Sequence, residues 1–198
     1  MPKYSINDGF ELKTGYQYLV PINESINTLE ETHCFFSPKS SLGRLFITQR
    51  LLSERSSTMN ECLNDSGEMY LAIQPNVFNI VIYPGDSTGQ LRLDERPIET
   101  VSDSDLLKTF PDSDISLGQI LHLDLSSGLY KARSNPMPID LGSLNHYLRG
   151  DYFELSMGGI IEPNCHYLCA SQEVLDVPST MNAELQAYNE VGIQGPVH

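Results

Sequence analysis

The chain has 198 residues, of which 40% are hydrophobic and 19% are charged, a balance typical of globular proteins. Its formal net charge of −14 argues against nucleic acid or an anionic membrane surface as a partner, because both repel an acidic protein. No apolar run approaches the roughly 18 residues of a membrane span. The first residues contain no apolar segment typical of a secretory signal. We therefore expect a cytoplasmic chain of one large domain or two small ones.

The first half of the chain predicts short strands separated by turn residues. Apolar runs and alternating patterns indicate strands at 10–12, 16–20, 33–36, 45–52, 69–73, 77–83 and 90–93. Pro-Asn at 75–76 and Pro-Gly-Asp at 84–86 punctuate the clearest of them. The polar segment 53–66 is interpreted as a loop. Short strands with turn signals at regular intervals predict an all-β barrel or sandwich.

Segment 102–110 is the candidate helix, with acidic residues early and Lys108 late, and it lies where a linker is expected. Beyond it we expect a second β-rich segment, in which 134–140 is irregular and 180–188 is compatible with a helix. The strands of this segment are predicted at 120–125, 152–155, 160–163 and 166–171.

An internal similarity joins the two halves of the chain. Segments 18–24 and 167–173 align without gaps, and Tyr, Leu and Glu coincide in them. This similarity indicates two copies of one β unit. We therefore divide the chain into residues 1–112 and residues 113–198, with the second copy incomplete.

The four cysteines are Cys34, Cys62, Cys165 and Cys169. A disulfide framework is not expected in a chain of this size without a secretory signal. Cys165, His166 and Cys169 suggest zinc, but their spacing is not Cys-x-x-Cys and no second pair lies nearby. We interpret the cysteines as buried thiols and predict no protein-bound metal.

The most informative stretch is 37–45, which reads Ser-Pro-Lys-Ser-Ser-Leu-Gly-Arg-Leu. Ser40 and Ser41 supply hydroxyls, and Lys39 and Arg44 supply positive charge beside them. Hydroxyls, backbone N–H groups and an arginine fork together suit a phosphate chain. The alternative is a polar turn between two strands that happens to hold two cations.

This stretch resembles the Arg/Lys-Ser-Ser-x-x-Arg-Leu motif of the dCTP deaminase branch of the dUTPase-like superfamily. The segments at 18–21, 67–73, 84–85 and 89–92 follow the order found in tandem-domain members of that family. The resemblance implies a dUTPase-like distorted β-barrel, or β-clip, in two related units. It also implies a trimer-like homo-oligomer, in which the motif grips a nucleotide triphosphate across a subunit interface. The substrate-binding residues that it implies are Lys39, Ser40, Ser41, Arg44, Arg55 and Gln90.

The resemblance places a catalytic glutamate in a Gly-x-x-x-Leu-Glu strand, where it shuttles protons during deamination of cytosine. In the matching segment 67–73, Ala72 occupies the glutamate position. Glu68 lies earlier on the same face, but roughly 13 Å away along a strand, which is too far for a substitute. We therefore predict no catalytic residue in this chain and no deamination by the chain alone.

No cofactor is expected to bind to a motif of this chain, and Mg²⁺ is expected only with the substrate triphosphate. The zinc deaminase signature, His-x-Glu with Pro-Cys-x-x-Cys, is absent, so the resemblance implies a zinc-independent hydrolase. The expected ligand is dCTP, with dUTP and dTTP as alternatives. Neither nucleic acid nor a membrane is expected as a partner.

Three functions remain open from the sequence. A dCTP deaminase, which converts dCTP and water to dUTP and ammonia, is favoured by the motif and by the segment order. A dUTP diphosphatase is the alternative on the same fold, but its Gly-x-Ile-Asp motif is absent. A non-catalytic, nucleotide-binding half is favoured by Ala72. The family pattern continues beyond both ends of the sequence, which predicts a piece or a shortened member.

Overall fold

The structure is a computed structural model that describes residues 8–25, 32–55, 57–63, 67–94, 99–134, 137–142, 149–157 and 160–185. Its elements, in chain order, are β1 Phe10–Leu12, β2 Tyr18–Pro21, β3 His33–Pro38, α1 Ser40–Gly43, β4 Ile47–Ser53, β5 Glu61–Leu63, β6 Met69–Pro75, β7 Ile80–Ile82, β8 Gly89–Asp94, α2 Asp103–Thr109, β9 Leu123–Asp124, β10 Leu129–Ala132, β11 Ile139–Asp140, α3 Arg149–Tyr152, β12 Phe153–Ser156, β13 Tyr167–Leu168 and β14 Ala170–Ser171. Strands predominate and the helices are short, which confirms the predicted all-β class. No helix in these ranges is long and apolar enough to cross a membrane.

The described residues form two compact units that interleave along the sequence. The first comprises the described residues within 1–97 together with those within 133–153. The second comprises those within 98–132 and 154–196. The chain returns to the first unit at 133. The predicted division between residues 112 and 113 stays a prediction. The predicted duplication of one β unit stays a prediction.

Three small sheets build the first unit. Their strand orders are β2-β6-β4, β5-β3-β8 and β1-β7-β11. All their pairings are antiparallel except that of β11, which runs parallel to β7. Burial alternates along β4, where Ile47, Gln49 and Leu51 are buried and Arg50 is exposed. β4 therefore turns one face toward the core, as the period of two requires, whereas the middle of β6 is buried on both faces.

The first unit has a continuous apolar core. The Phe78 ring contacts the rings of Tyr152 and Phe153 edge-on, at centroid distances of 5.6 and 5.7 Å. Because these two aromatic residues come late in the chain, the core of the first unit depends on the returning segment. The buried side chains include Leu12, Phe36, Leu45, Phe46, Ile47, Leu51, Leu71, Ile73, Phe78, Ile80, Ile139 and Phe153.

The second unit begins with α2, which forms where the acidic start and the basic end predicted a helix. Ser102 is the N-cap, and its Oγ accepts a hydrogen bond from the Asp105 N–H at 3.3 Å. The Asp103 carboxylate accepts hydrogen bonds from Leu117 N–H at 2.8 Å and Gly118 N–H at 2.9 Å. These bonds tie the helix to the turn that follows it.

Two small sheets complete the second unit, with orders β12-β10-β13 and β14-β9. At the end of the β9–β14 ribbon, the Glu173 carboxylate accepts the His122 backbone N–H at 2.8 Å and lies 2.7 Å from His122 Nδ1. Among the described hydrophobic side chains of this unit, Leu129 is buried and most others are exposed. The exposed ones include Leu117, Leu123, Leu125, Leu155, Met157, Ile160, Ile161, Val174 and Leu185.

Several local predictions were wrong. The loop expected at 53–66 contains β5, and the irregular segment 134–140 contains β11. The strand expected over 120–125 is only two residues long, and no helix forms over 180–185. β11 pairs with β7, which lies far away in the sequence, so local pattern could not predict it.

Candidate functional site

The predicted phosphate-binding segment forms α1 and the turn after it. Lys39 is the N-cap in an extended conformation, and Leu42 and Gly43 of the helix are buried. The helix ends in a turn at Phe46, whose φ of 57° is unusual for a residue with a side chain. Asn76 holds this turn, because its Nδ2 donates to the Phe46 carbonyl at 2.8 Å and its backbone N–H donates to the same oxygen at 3.1 Å. The buried residues of α1 and the hydrogen bonds from Asn76 therefore hold the segment in place.

The polar side chains of this segment point outward. Lys39, Ser40 and Arg44 are exposed, and Ser41 is half-buried. Neither Lys39 nor Arg44 forms an ion pair with any acidic side chain in the described ranges. Two cations and two hydroxyls are thus held together on a buried base, which is what binding of an anion requires.

The start of β8 lies beside this segment. Pro38 pairs with Gly89, and Ser37 pairs with Gln90. The Lys39 N–H donates to the carbonyl of Thr88 at 3.0 Å. The structure therefore brings Gln90, which is exposed, next to the Lys39–Arg44 segment within one chain.

Arg55 does not join this group within one chain. It follows the far end of β4, and its backbone N–H donates to Ser53 Oγ at 3.2 Å. The seven residues of β4 separate it from the end at Ile47, which is a distance of about 20 Å along an extended strand. Of the predicted binding residues, Lys39, Ser40, Ser41, Arg44 and Gln90 cluster, and Arg55 lies apart.

Ala72 lies in β6, the middle strand of its sheet. It is directly opposite Leu19 of β2 on one side and Arg50 of β4 on the other. The Arg50 side chain is exposed, and its Nη1 donates to the Gln49 carbonyl at 3.3 Å. The position that the resemblance gives to a proton shuttle therefore holds a methyl group, directly opposite Arg50 in the β4–β6 pairing.

Glu68 directly precedes β6, and its carboxylate accepts a hydrogen bond from a neighbouring side chain. The Tyr70 hydroxyl donates to Glu68 Oε2 at 2.6 Å, and this hydrogen bond raises the pKa of Tyr70 above its usual range. Tyr70 and Ala72 share a face of β6, as residues two apart on a strand do. Neither Tyr70 nor Arg50 was predicted from the sequence as a neighbour of position 72. The register of the β4–β6 pairing places Arg50 opposite Ala72, and a local sequence pattern does not reveal that register.

The cysteines correct one expectation. Cys34 is buried, but Cys165 is half-buried and Cys169 is exposed, so the last two are not buried thiols. Burial raises the pKa of the Cys169 thiol in spite of this exposure. The Cys62 side chain lies outside the described residues. In the part of the chain that the structure describes, no group of three or more His, Cys, Asp or Glu side chains could hold a metal ion.

Two family models match the chain in succession. The model of the 2'-deoxycytidine 5'-triphosphate deaminase N-terminal domain matches residues 1–97, and that of the C-terminal domain matches residues 94–195. The chain belongs to the dCTP deaminase family. The two matches meet close to the boundary at which the chain first leaves the first unit.

A solved structure agrees with this assignment at the level of the fold. The crystal structure of 2'-deoxycytidine 5'-triphosphate deaminase from Agrobacterium tumefaciens superposes with a TM-score of 0.79 and 24% sequence identity. The similarity covers 87% of this chain and 56% of that one, so the present chain spans about half the length of the Agrobacterium deaminase. No curated protein matches the chain in sequence.

Proposed function

We propose that the chain is the nucleotide-binding part of a dCTP deaminase, which converts dCTP and water to dUTP and ammonia. The observation that carries the proposal is the pair of cations, Lys39 and Arg44, held beside Ser40 and Ser41 without an acidic partner in the described ranges. In a member of the dCTP deaminase family, a triphosphate is the natural anion for this cluster. Gln90 extends the cluster on the side of β8.

The chemistry explains why this chain alone is proposed to bind without reacting. Attack of water on C4 of cytosine needs a group that moves protons to N3 and to the departing ammonia. The methyl side chain of Ala72 has no proton to move. Glu68 is already the acceptor of the Tyr70 hydroxyl. The proposal includes no protein-bound metal, and Mg²⁺ enters with the triphosphate as part of the substrate.

An assembly is part of the proposal. The Lys39–Arg44 cluster and Arg55 lie at opposite ends of β4, so both contact one triphosphate only if different copies contribute them. We therefore propose a cytoplasmic homo-oligomer, trimer-like in symmetry, with sites between copies.

Two measurements on the purified chain test the proposal. Titration calorimetry with dCTP, dUTP and dTTP is expected to show micromolar or tighter binding, with dCTP the preferred ligand. An ammonia assay with dCTP, with products separated by chromatography, is expected to show no turnover above the blank. Cleavage of dUTP to dUMP would instead identify a dUTP diphosphatase. The absence of binding to all three nucleotides would reject the proposal.

A further inference from the structure

Gly89 lies at a crowded point of the first unit. A Cβ built on Gly89 would overlap Cε2 and Cζ of the Phe36 ring, and it would come within 3.1 Å of the Ser37 carbonyl oxygen. Phe36 is only 8% exposed, so its ring has little room to withdraw. The other side of β3 is also held, because the Phe36 N–H donates to the carbonyl of Asn60 at 2.8 Å.

Space, and not backbone conformation, is what excludes a side chain here. Gly89 is not among the described glycines with positive φ, whereas Gly15 has a φ of 81°. A Cβ on Gly15 would meet nothing within 4 Å. The two glycines therefore separate two effects, which are overlap with a ring at position 89 and backbone strain in open space at position 15.

Gly89 is also at the junction on which the phosphate-binding segment depends. It pairs with Pro38, and the residues on either side of it contact the site. Thr88 accepts the Lys39 N–H through its carbonyl at 3.0 Å, and Gln90 pairs with Ser37. Any movement of the start of β8 away from β3 would break the Lys39 contact and separate Gln90 from the cations.

We infer that Gly89 is a positioning residue of the nucleotide site. Its lack of a side chain lets the Phe36 ring lie against β8, and this packing fixes the Lys39–Arg44 segment relative to Gln90. The consequence for nucleotide affinity rests on the proposed function. The packing itself does not, so the two can be tested apart.

The experiment compares Gly89→Ala, Phe36→Leu and the double variant, with Gly15→Ala as the control. Leu lacks the ring atoms that the new Cβ would overlap, so the double variant should restore the close approach of β3 and β8. Amide hydrogen exchange at Lys39 reports the Thr88 contact, and calorimetry reports dCTP affinity. Thermal unfolding of each variant separates local from global effects.

Gly89→Ala is expected to speed exchange at Lys39 and to weaken dCTP binding, each by about tenfold or more, whereas the double variant returns to within about threefold of Phe36→Leu. Gly15→Ala is expected to lower the unfolding midpoint without changing either quantity. Unchanged exchange in Gly89→Ala, or no recovery in the double variant, would overturn the inference.

Failure of folding is also informative. If Gly89→Ala does not fold, recovery of folding and of Lys39 protection in the double variant supports the inference, and an unfolded double variant rejects it. If exchange behaves as expected but the wild-type chain does not bind dCTP, the positioning role stands and the proposed function fails.

Discussion

Arg50 and Ala72 are directly opposed cross-strand partners in the β4–β6 pairing, and their side chains share one face of the sheet. Directly opposed residues on antiparallel strands have Cβ atoms about 4.5–5.5 Å apart, so a carboxylate introduced at position 72 would lie within reach of the guanidinium. The chain thus lacks a shuttle at this position but retains a cation that can hold one.

Ala72→Glu is therefore expected to be tolerated through Arg50. An opposed pair of opposite charge contributes roughly 0.2–1 kcal/mol, so the variant should lose less stability than Ala72→Glu combined with Arg50→Ala. A double-mutant cycle in urea measures the coupling. Zero coupling would show that the two side chains do not meet.

The same variant tests the catalytic argument. If the rest of the pocket is complete in the assembled protein, Ala72→Glu should raise ammonia release from dCTP by about 10²–10⁴-fold over the wild-type rate. Ala72→Gln is the matched control, because it has the same size without an ionisable proton. Equal rates for the two variants would remove the proposed role of position 72.

Arg44→Ala is expected to weaken dCTP binding more than Arg92→Ala. Loss of a charge-assisted fork costs about 1.5–3 kcal/mol, which is roughly 10–150-fold in the dissociation constant. Arg92 is a suitable control, because it pairs with Asp94 at 2.8 Å and lies over the Phe35 ring at 5.2 Å. Equal dissociation constants from calorimetry would remove the phosphate role of Arg44.

Replacement of Gln49 by an apolar residue is expected to stabilise the fold. Its side chain is 1% exposed, and neither its Oε1 nor its Nε2 has a hydrogen-bond partner among the described residues. A buried polar group without a partner costs about 1–3 kcal/mol, so Gln49→Met, which is similar in volume, should raise the free energy of unfolding by about 1–2 kcal/mol. Urea titration of both proteins measures it. A less stable variant would mean that the amide has a partner in solution.

The folding stability contributed by Glu173, at the end of the β9–β14 ribbon, should fall in acid. Hydrogen bonds from the His122 side chain and backbone hold the pKa of Glu173 below its usual value. A lowered folded-state pKa stabilises the native state above the unfolded pKa of about 4.3, and this stabilisation is lost as pH falls through the folded value. Thermal unfolding of wild type and Glu173→Gln between pH 7 and pH 3 should therefore show midpoints that converge on acidification. A constant difference would contradict the contact.

Particular residues show what the sequence could predict. The alternation in 69–73 and the turn at 84–86 predicted β6 and the approach to β8, because these signals are local. The phosphate site at 39–44 was predicted from residue types in the same way, and it stays a prediction. The opposition of Arg50 and Ala72, the neighbourhood of Gln90 and the parallel strand β11 depend on pairing between distant segments. Local patterns do not encode those registers.

The return of residues 133–153 to the first unit has a consequence for synthesis on the ribosome. Phe78 is translated long before Tyr152 and Phe153, which contact its ring in the finished fold. β7 likewise emerges before β11, its parallel neighbour. At about 5–20 residues per second, the nascent first unit waits on the order of several seconds with an incomplete core. A chain released before residues 152 and 153 are added would leave Phe78 without these two aromatic partners, exposed to water and to other nascent chains.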